Sequence, residues 1–188
     1  MSENLRVKSS QYIDETTRVS FKFNGTTYYG FKGDTLASAL LANNVHLVGR
    51  SFKYHRPRGI MTAGSEEPNA IVQINPNTNR TEPNVRATEV EIYEGMEASS
   101  QNCWPSVNFD IGGINNFLSP LFPAGFYYKT FMWPASFWEK YEYFIRHSAG
   151  LGKSPTLKDP DIYDHRNIHC DVLVAVSYTH LRAHETRY

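Results

Sequence analysis

The stretch that most constrains this chain is Arg18 to Phe31. Val19, Phe21 and Phe23 alternate with Ser20 and Lys22, Asn24-Gly25 follows at once, and the chain resumes with Thr26 to Phe31, rich in β-branched and aromatic residues. A period of two gives a strand one apolar face, and a two-residue hairpin turn needs positive φ at both positions, which Asn and Gly tolerate. A half-buried β-hairpin is therefore predicted, and its apolar face needs a cover. Leu36, Ala37, Leu40 and Leu41 supply one at helical spacing, with Asp34 as N-cap and Asn43-Asn44 as a polar stop. A glycine-punctuated basic loop then runs from Gly49 to Ser65. It is followed by a strand from Ala70 to Ile74, a turn-rich stretch from Asn75 to Pro83, and a last strand at Glu89 to Tyr93 in which Val90 and Ile92 alternate with glutamates. The predicted order is ββαββ and the fold class α+β.

The flanks differ. Residues 1–17 are polar and aperiodic and read as a flexible arm. Residues 104–167 carry all three tryptophans, many of the Phe and Tyr residues and several prolines, the composition of an aromatic-rich, partly helical connector. Its best helix is Ala135 to Arg146, with Phe137, Tyr141, Phe144 and Ile145 on one face and Glu139 and Glu142 partly on another. Lys153 to Asn167, with Pro155 and Pro160, reads as a linker, and the apolar run from Asp171 to Ala175 as the opening of a buried parallel strand.

Composition removes several function classes. Nineteen basic and nineteen acidic residues cancel, leaving no global field to attract a nucleic-acid backbone. Two cysteines among 188 residues cannot staple a secreted scaffold, and no apolar run like that of a signal peptide opens the chain, so a cytoplasmic location is expected. The densest apolar region, Phe117 to Trp138, is broken by Pro120, Pro123, Lys129 and Pro134, short of the ~20 uninterrupted residues that a bilayer requires. His165, His169 and Cys170 have a spacing that suits zinc, but no second Cys or acidic pair completes a tetrahedron, so no metal site is assigned. Arg50, Lys53, Arg56 and Arg58 crowd one loop with His55, Phe52 and Tyr54. On a neutral chain without an RNA-binding motif they read as an interface for protein. No Ser/His/Asp set, carboxylate pair or phosphate loop emerges, and no catalytic residue is assigned.

The ββαββ order with a glycine-bracketed loop after the helix is the layout of plant-type ferredoxins, whose loop carries cluster cysteines spaced C-x4-C-x2-C. Here that loop reads RPRGIMTAGSEEPNAIVQI. Relatives that keep the cluster place a cysteine three residues after a Pro-Arg-Gly, and by that resemblance Pro57-Arg58-Gly59 puts Thr62, Glu67 and Ala70 on the three cysteine positions. None of them supplies a thiolate: a hydroxyl stays protonated, a carboxylate is a hard oxygen donor and a methyl donates nothing. The reading is a β-grasp, 2Fe-2S-like domain without its cluster.

The run GRSFKYHRPRGIMTAGSEEPNA, with GDTLASALLANNV before it and EASSQNCWPS after it, resembles the alpha subunit of the heterotetrameric sarcosine oxidase family. The resemblance covers roughly Arg18 to Val174. It implies a division into an arm at 1–17, a cluster-less ferredoxin-like domain at 18–103 and a connector at 104–167. The first strand of a truncated dinucleotide-binding domain would follow at 168–175. After Ala175 the family has a glycine-rich turn for a pyrophosphate, whereas this chain runs VSYTHLRAHETRY. With the glycine motif missing after Ala175, no cofactor-binding residue is assigned. Val176 to Thr186 reads as a translated sequencing adaptor, and 176–188 is set aside as such. The chain is thus expected to be an N-terminal fragment, inactive by itself and binding no cofactor. The resemblance further implies a parent complex that oxidatively demethylates sarcosine to glycine with hydrogen peroxide as co-product. FAD would lie in the beta subunit, FMN between alpha and beta, NAD in alpha, and the one-carbon unit would be released as formaldehyde or passed to tetrahydrofolate. The expected partners are the beta subunit and the remainder of the same chain. Two other readings stay open: a standalone β-grasp interaction module, and a subunit of a related amine or opine dehydrogenase.

Overall fold

The computed structural model describes residues 5–6, 12–121, 133–148, 150–152, 154–167 and 169–172. The hairpin forms as its sequence dictates. Strand β1 (Asp14–Phe23) pairs antiparallel with β2 (Thr26–Lys32), from Arg18 opposite Phe31 to Phe23 opposite Thr26. Asn24 and Gly25 turn the chain at φ 49° and 80°. Val19, Phe21 and Phe23 are buried while Lys22 is exposed, so one face is the core face throughout.

Helix α1 (Leu36–Ala42) lies on that face, with Leu36, Ala37, Ala39 and Leu40 buried. Its N-cap is Thr35, one residue after the expected Asp34: the Thr35 hydroxyl accepts from the Ser38 amide at 3.1 Å. Asp34 instead lies fully buried beneath the helix start, where it accepts from the Phe31 amide and the Ser38 hydroxyl. Asn43 caps the other end, and its side-chain amide donates to the Tyr29 and Ala39 carbonyls.

After the helix, β3 (Gly49–Arg50) and β4 (Pro57–Arg58) form a short antiparallel ladder at the base of the basic loop. Then come β5 (Ile71–Ile74), β6 (Glu82–Arg86) and β7 (Met96–Ser100). The main sheet runs in the order β2-β1-β7-β5-β6. β1 and β7 are parallel, Phe21 opposite Met96 and Phe23 opposite Ala98, and the other pairings are antiparallel. Met96, Val72 and Ile74 join Phe21, Leu36 and Leu40 in one core between sheet and helix.

Two expectations need correction. Glu89 to Tyr93 is not a strand of the sheet; Glu91 makes one isolated bridge, to Thr35. The alternation there is real in packing, since Ile92 is buried, but its backbone runs beside the start of α1. The Ile92 amide donates to Asp34 and the Leu36 amide to Val90. The closing strands are β6 and β7, whose Asn, Ala and Ser residues have weak strand propensity and take their form from neighbours. The first strand begins at Asp14, inside the segment read as an arm, and Arg6 is fixed to the domain by Asp34.

Of the apolar run from Asp171 to Ala175, expected to open a buried parallel strand, the described residues are Asp171 and Val172, both exposed and outside any strand. The remainder of that run, through Ala175, lies outside the described residues. So do the point after Ala175 at which the glycine turn is missing and the adaptor-like segment 176–188.

The connector begins with short helical turns, a 3-10 turn at Ile111–Gly113 and α2 (Ile114–Phe117). Farther on, a 3-10 turn at Ala135–Phe137 leads into α3 (Trp138–Ser148), where a single helix from Ala135 was expected.

Candidate functional site

The loop from Gly59 to Ala70 closes on a carboxylate. Glu67 is 1% exposed, and its two oxygens accept four backbone amides. Met61 and Thr62 each donate to Oε2 at 2.7 Å, while Asn69 and Ala70 donate to Oε1 at 2.8 and 3.2 Å. Burial alone would push the Glu67 pKa up. The amides of Thr62, Asn69, Met61 and Ala70 outweigh it and hold the group below the ordinary carboxylate range. Successive amides converging on one point make an anion-binding concavity. Here the anion comes from the loop itself.

All three residues placed on cluster positions are thus brought together. Thr62 and Ala70 touch Glu67 through their amides, and Ala70 is fully buried. A further residue, missed in the sequence, joins them. Thr88, in the turn after β6, is buried, and its hydroxyl donates to the Gly64 carbonyl at 2.7 Å. The neighbouring Ala87 amide donates to Ala70 at 2.8 Å. Plant-type loops take a fourth cysteine from farther along the chain, and Thr88 stands where a distant segment meets this loop. The spacing of the first three positions says nothing about the fourth; only the return of β6 beside β5 brings it in. Thr62, Glu67, Ala70 and Thr88 do not fit a 2Fe-2S cluster. No thiolate is among them, and the carboxylate is already saturated by amides.

The basic loop is adjacent but differently employed. Arg50, one of four residues read as an interface, points inward: Nε and Nη2 donate to the Val107 carbonyl at 2.8 and 2.6 Å, and Nη1 to the His55 carbonyl at 3.2 Å. It fastens the start of the connector rather than facing outward. His55 adds a second tie, with Nδ1 2.6 Å from the Asp110 carboxylate. The other oxygen of Asp110 accepts from the Trp104 and Gly112 amides. Gly112 is required beneath the ring, since a Cβ there would come within 2.3 Å of His55 Nδ1.

The other basic residues lie nearer the surface. Arg56 is exposed, with Nε 2.9 Å from Asn116 Oδ1 and its guanidinium 4.9 Å from the centre of the Tyr54 ring. The Lys53 ammonium lies 5.1 Å from the same ring, and Arg58 is exposed on β4. Between this loop and the Glu67 loop opens a cleft of about 420 Å³, lined by Lys53, Tyr54, Arg58, Asn69, Asn84 and Asn102 among others.

His165, His169 and Cys170 do not come together as a zinc site: among the described residues no group of three His, Cys, Asp or Glu side chains is placed to hold a metal ion. Burial, then the charge of Asp110, raises the Cys103 pKa and makes it a poor nucleophile at neutral pH. No helix among the described residues is long and apolar enough to cross a membrane.

Residues 16–103 match the family described as the 2Fe-2S iron-sulfur cluster binding domain. Along its length the chain is similar to curated proteins named sarcosine oxidase subunit alpha. It is 59% identical over 170 residues to that of Rhizobium meliloti (strain 1021), which is 90% of this chain and 17% of the relative. It is 28% identical over 180 residues to that of Corynebacterium sp. (strain U-96), covering 93% of this chain and 14% of the relative. Against that of Corynebacterium sp. (strain P-1) it is 30% identical over 162 residues, covering 86% and 12%. The chain spans less than a fifth of the length of these relatives.

Proposed function

We propose, for a chain that over nine-tenths of its length is a relative of sarcosine oxidase alpha subunits, a structural role within such a subunit. The ferredoxin-like domain serves there as a scaffold without a cluster, and it carries no electrons. The observation that supports this is the Glu67 loop. Its four converging amides are satisfied by a side chain of the domain, and its cluster positions hold Thr62, Glu67 and Ala70. The exposed Arg56 and Arg58, beside the cleft, contact the beta subunit or a later part of the same chain.

In this reading the assembled oxidase demethylates sarcosine to glycine and forms hydrogen peroxide, with FAD, FMN, NAD and tetrahydrofolate held by other parts. The residues described here contribute shape and charge to assembly, in a cytoplasmic complex, with neither nucleic acid nor membrane as partner. The test is direct. The isolated 188-residue chain, given sarcosine and FAD, should release no peroxide, whereas the complete alpha subunit assembled with beta should. Peroxide from the isolated chain would put the chemistry in this polypeptide and end the structural reading.

A further inference from the structure

The Glu67 carboxylate sits where no oxidase chemistry is assigned, yet it is buried and accepts four backbone amides. Two oxygens take four amides from both ends of one segment, Met61 and Thr62 before the turn, Asn69 and Ala70 after it. The Glu67 amide itself donates to Gly64 across the turn, and Thr88 anchors Gly64 from outside. The Ala70 end of the segment is tied to the domain by more than the carboxylate, since the Ala70 carbonyl accepts from the Ala87 amide.

We propose that this loop is a preformed binding site for a small monocarboxylate, filled in cis by Glu67, which has taken over the place of a bound anion as the keystone of the loop. The inference rests on the loop geometry alone and is independent of the sarcosine oxidase reading. Its ligand class follows from what Glu67 presents. The site is lined by amide donors on two sides, so it favours a planar, charged, bidentate acceptor over a neutral or spherical one. Glu67→Ala keeps Cβ and removes the remaining methylene and carboxylate, which together have the shape of acetate. Acetate supplied from solution should re-enter the space and accept the same four hydrogen bonds.

The experiment is amide hydrogen exchange and thermal melting of the full chain, as wild type and as Glu67→Ala, with sodium acetate, with acetamide, and with sodium chloride at matched ionic strength. In buffer the amides of Met61, Thr62, Asn69 and Ala70 should exchange ~10- to 100-fold faster in the variant, the loss expected when buried donors lose a charged partner. Acetate should restore their protection and raise the variant's melting temperature saturably, leaving the wild type unchanged. Acetamide and chloride should do neither. A variant unfolded in buffer that folds on adding acetate supports the proposal equally. Acetate no better than chloride, or four amides still protected in the variant without acetate, overturns it. If Glu67→Ala stays unfolded at every acetate concentration, Glu67→Gln decides. It keeps the length and one acceptor but turns an NH2 toward one pair of amides, so selective loss of protection at that pair supports the proposal and wild-type protection at all four overturns it.

Discussion

The guanidinium of Arg6 grips the carboxylate of Asp34 through two hydrogen bonds, 3.1 Å from Nη1 to Oδ1 and 2.5 Å from Nη2 to Oδ2. Asp34 is fully buried, and the Arg6 side chain is only 12% exposed. Arg6 also stacks 4.9 Å above the centre of the Phe31 ring. A segment that reads as a loose polar arm thus supplies the countercharge for an acid beneath helix α1.

Removing that countercharge should be costly. Arg6→Met leaves Asp34 with the Phe31 amide and the Ser38 hydroxyl but no cation, and breaking one side of a buried pair costs about 3 kcal/mol. Urea denaturation should show the loss, and Asp34→Asn in the same background should recover part of it. An unchanged midpoint in Arg6→Met would make the pair an incidental contact.

The stability supplied by Glu67 should depend on pH with a definite sign. Its folded pKa lies below the ordinary 4.5, so its contribution is complete above about pH 4.5 and is lost as pH falls through the lower folded value. The difference in unfolding free energy between wild type and Glu67→Gln should be largest near neutrality and shrink in acid. A difference that grows with acidity would contradict the amide cradle.

Anaerobic reconstitution of the wild-type chain with iron and sulfide should leave no stoichiometric cluster. The variant carrying Thr62→Cys, Glu67→Cys, Ala70→Cys and Thr88→Cys offers four thiolates and should bind iron and sulfide with charge-transfer absorption. The same variant with Thr88 retained should bind less. Equal loading with and without Thr88→Cys would remove Thr88 from the fourth corner.

In the assembly proposed above, Arg56→Glu with Arg58→Glu should weaken capture of the beta subunit, more at low than at physiological salt, because both charges are exposed. Arg50→Ala should instead loosen the connector near Val107 and lower the melting temperature with a smaller effect on capture. Capture unchanged by the double reversal at both salt concentrations would place the interface elsewhere.

Gly30 faces the helix so closely that a Cβ would lie 2.6 Å from Ile92 Cδ1 and 3.1 Å from both Ala39 Cβ and Asp34 Oδ2. Gly30→Ala should therefore destabilise the domain by about 1–3 kcal/mol through overpacking. Thermal melting checks this, and an unchanged melting temperature would mean that α1 sits farther from the sheet.

The features legible in the residues alone are local ones. The β1–β2 hairpin, its Asn24-Gly25 turn, helix α1 and strand β5 all follow from periodicity and turn chemistry, which act within a few residues. The three residues on the cluster positions are different: Thr62, Glu67 and Ala70 are picked out by the register that the family resemblance implies, not by local patterning. Contacts between distant segments settle the rest. β7 is a strand because Met96 and Ala98 are held beside Phe21 and Phe23, not because Met-Glu-Ala-Ser-Ser favours extension. The alternation of Val90 and Ile92 looks like a strand, yet the hydrogen bonds of that segment go to the start of α1. Arg50 is indistinguishable from Arg56 and Arg58 in composition. It separates from them only when the connector returns to place the Val107 carbonyl within reach. Glu67 is the clearest case: the sequence marks it as an acid where a cysteine was expected, and only folding turns four amides toward it and gives a buried charge its partners.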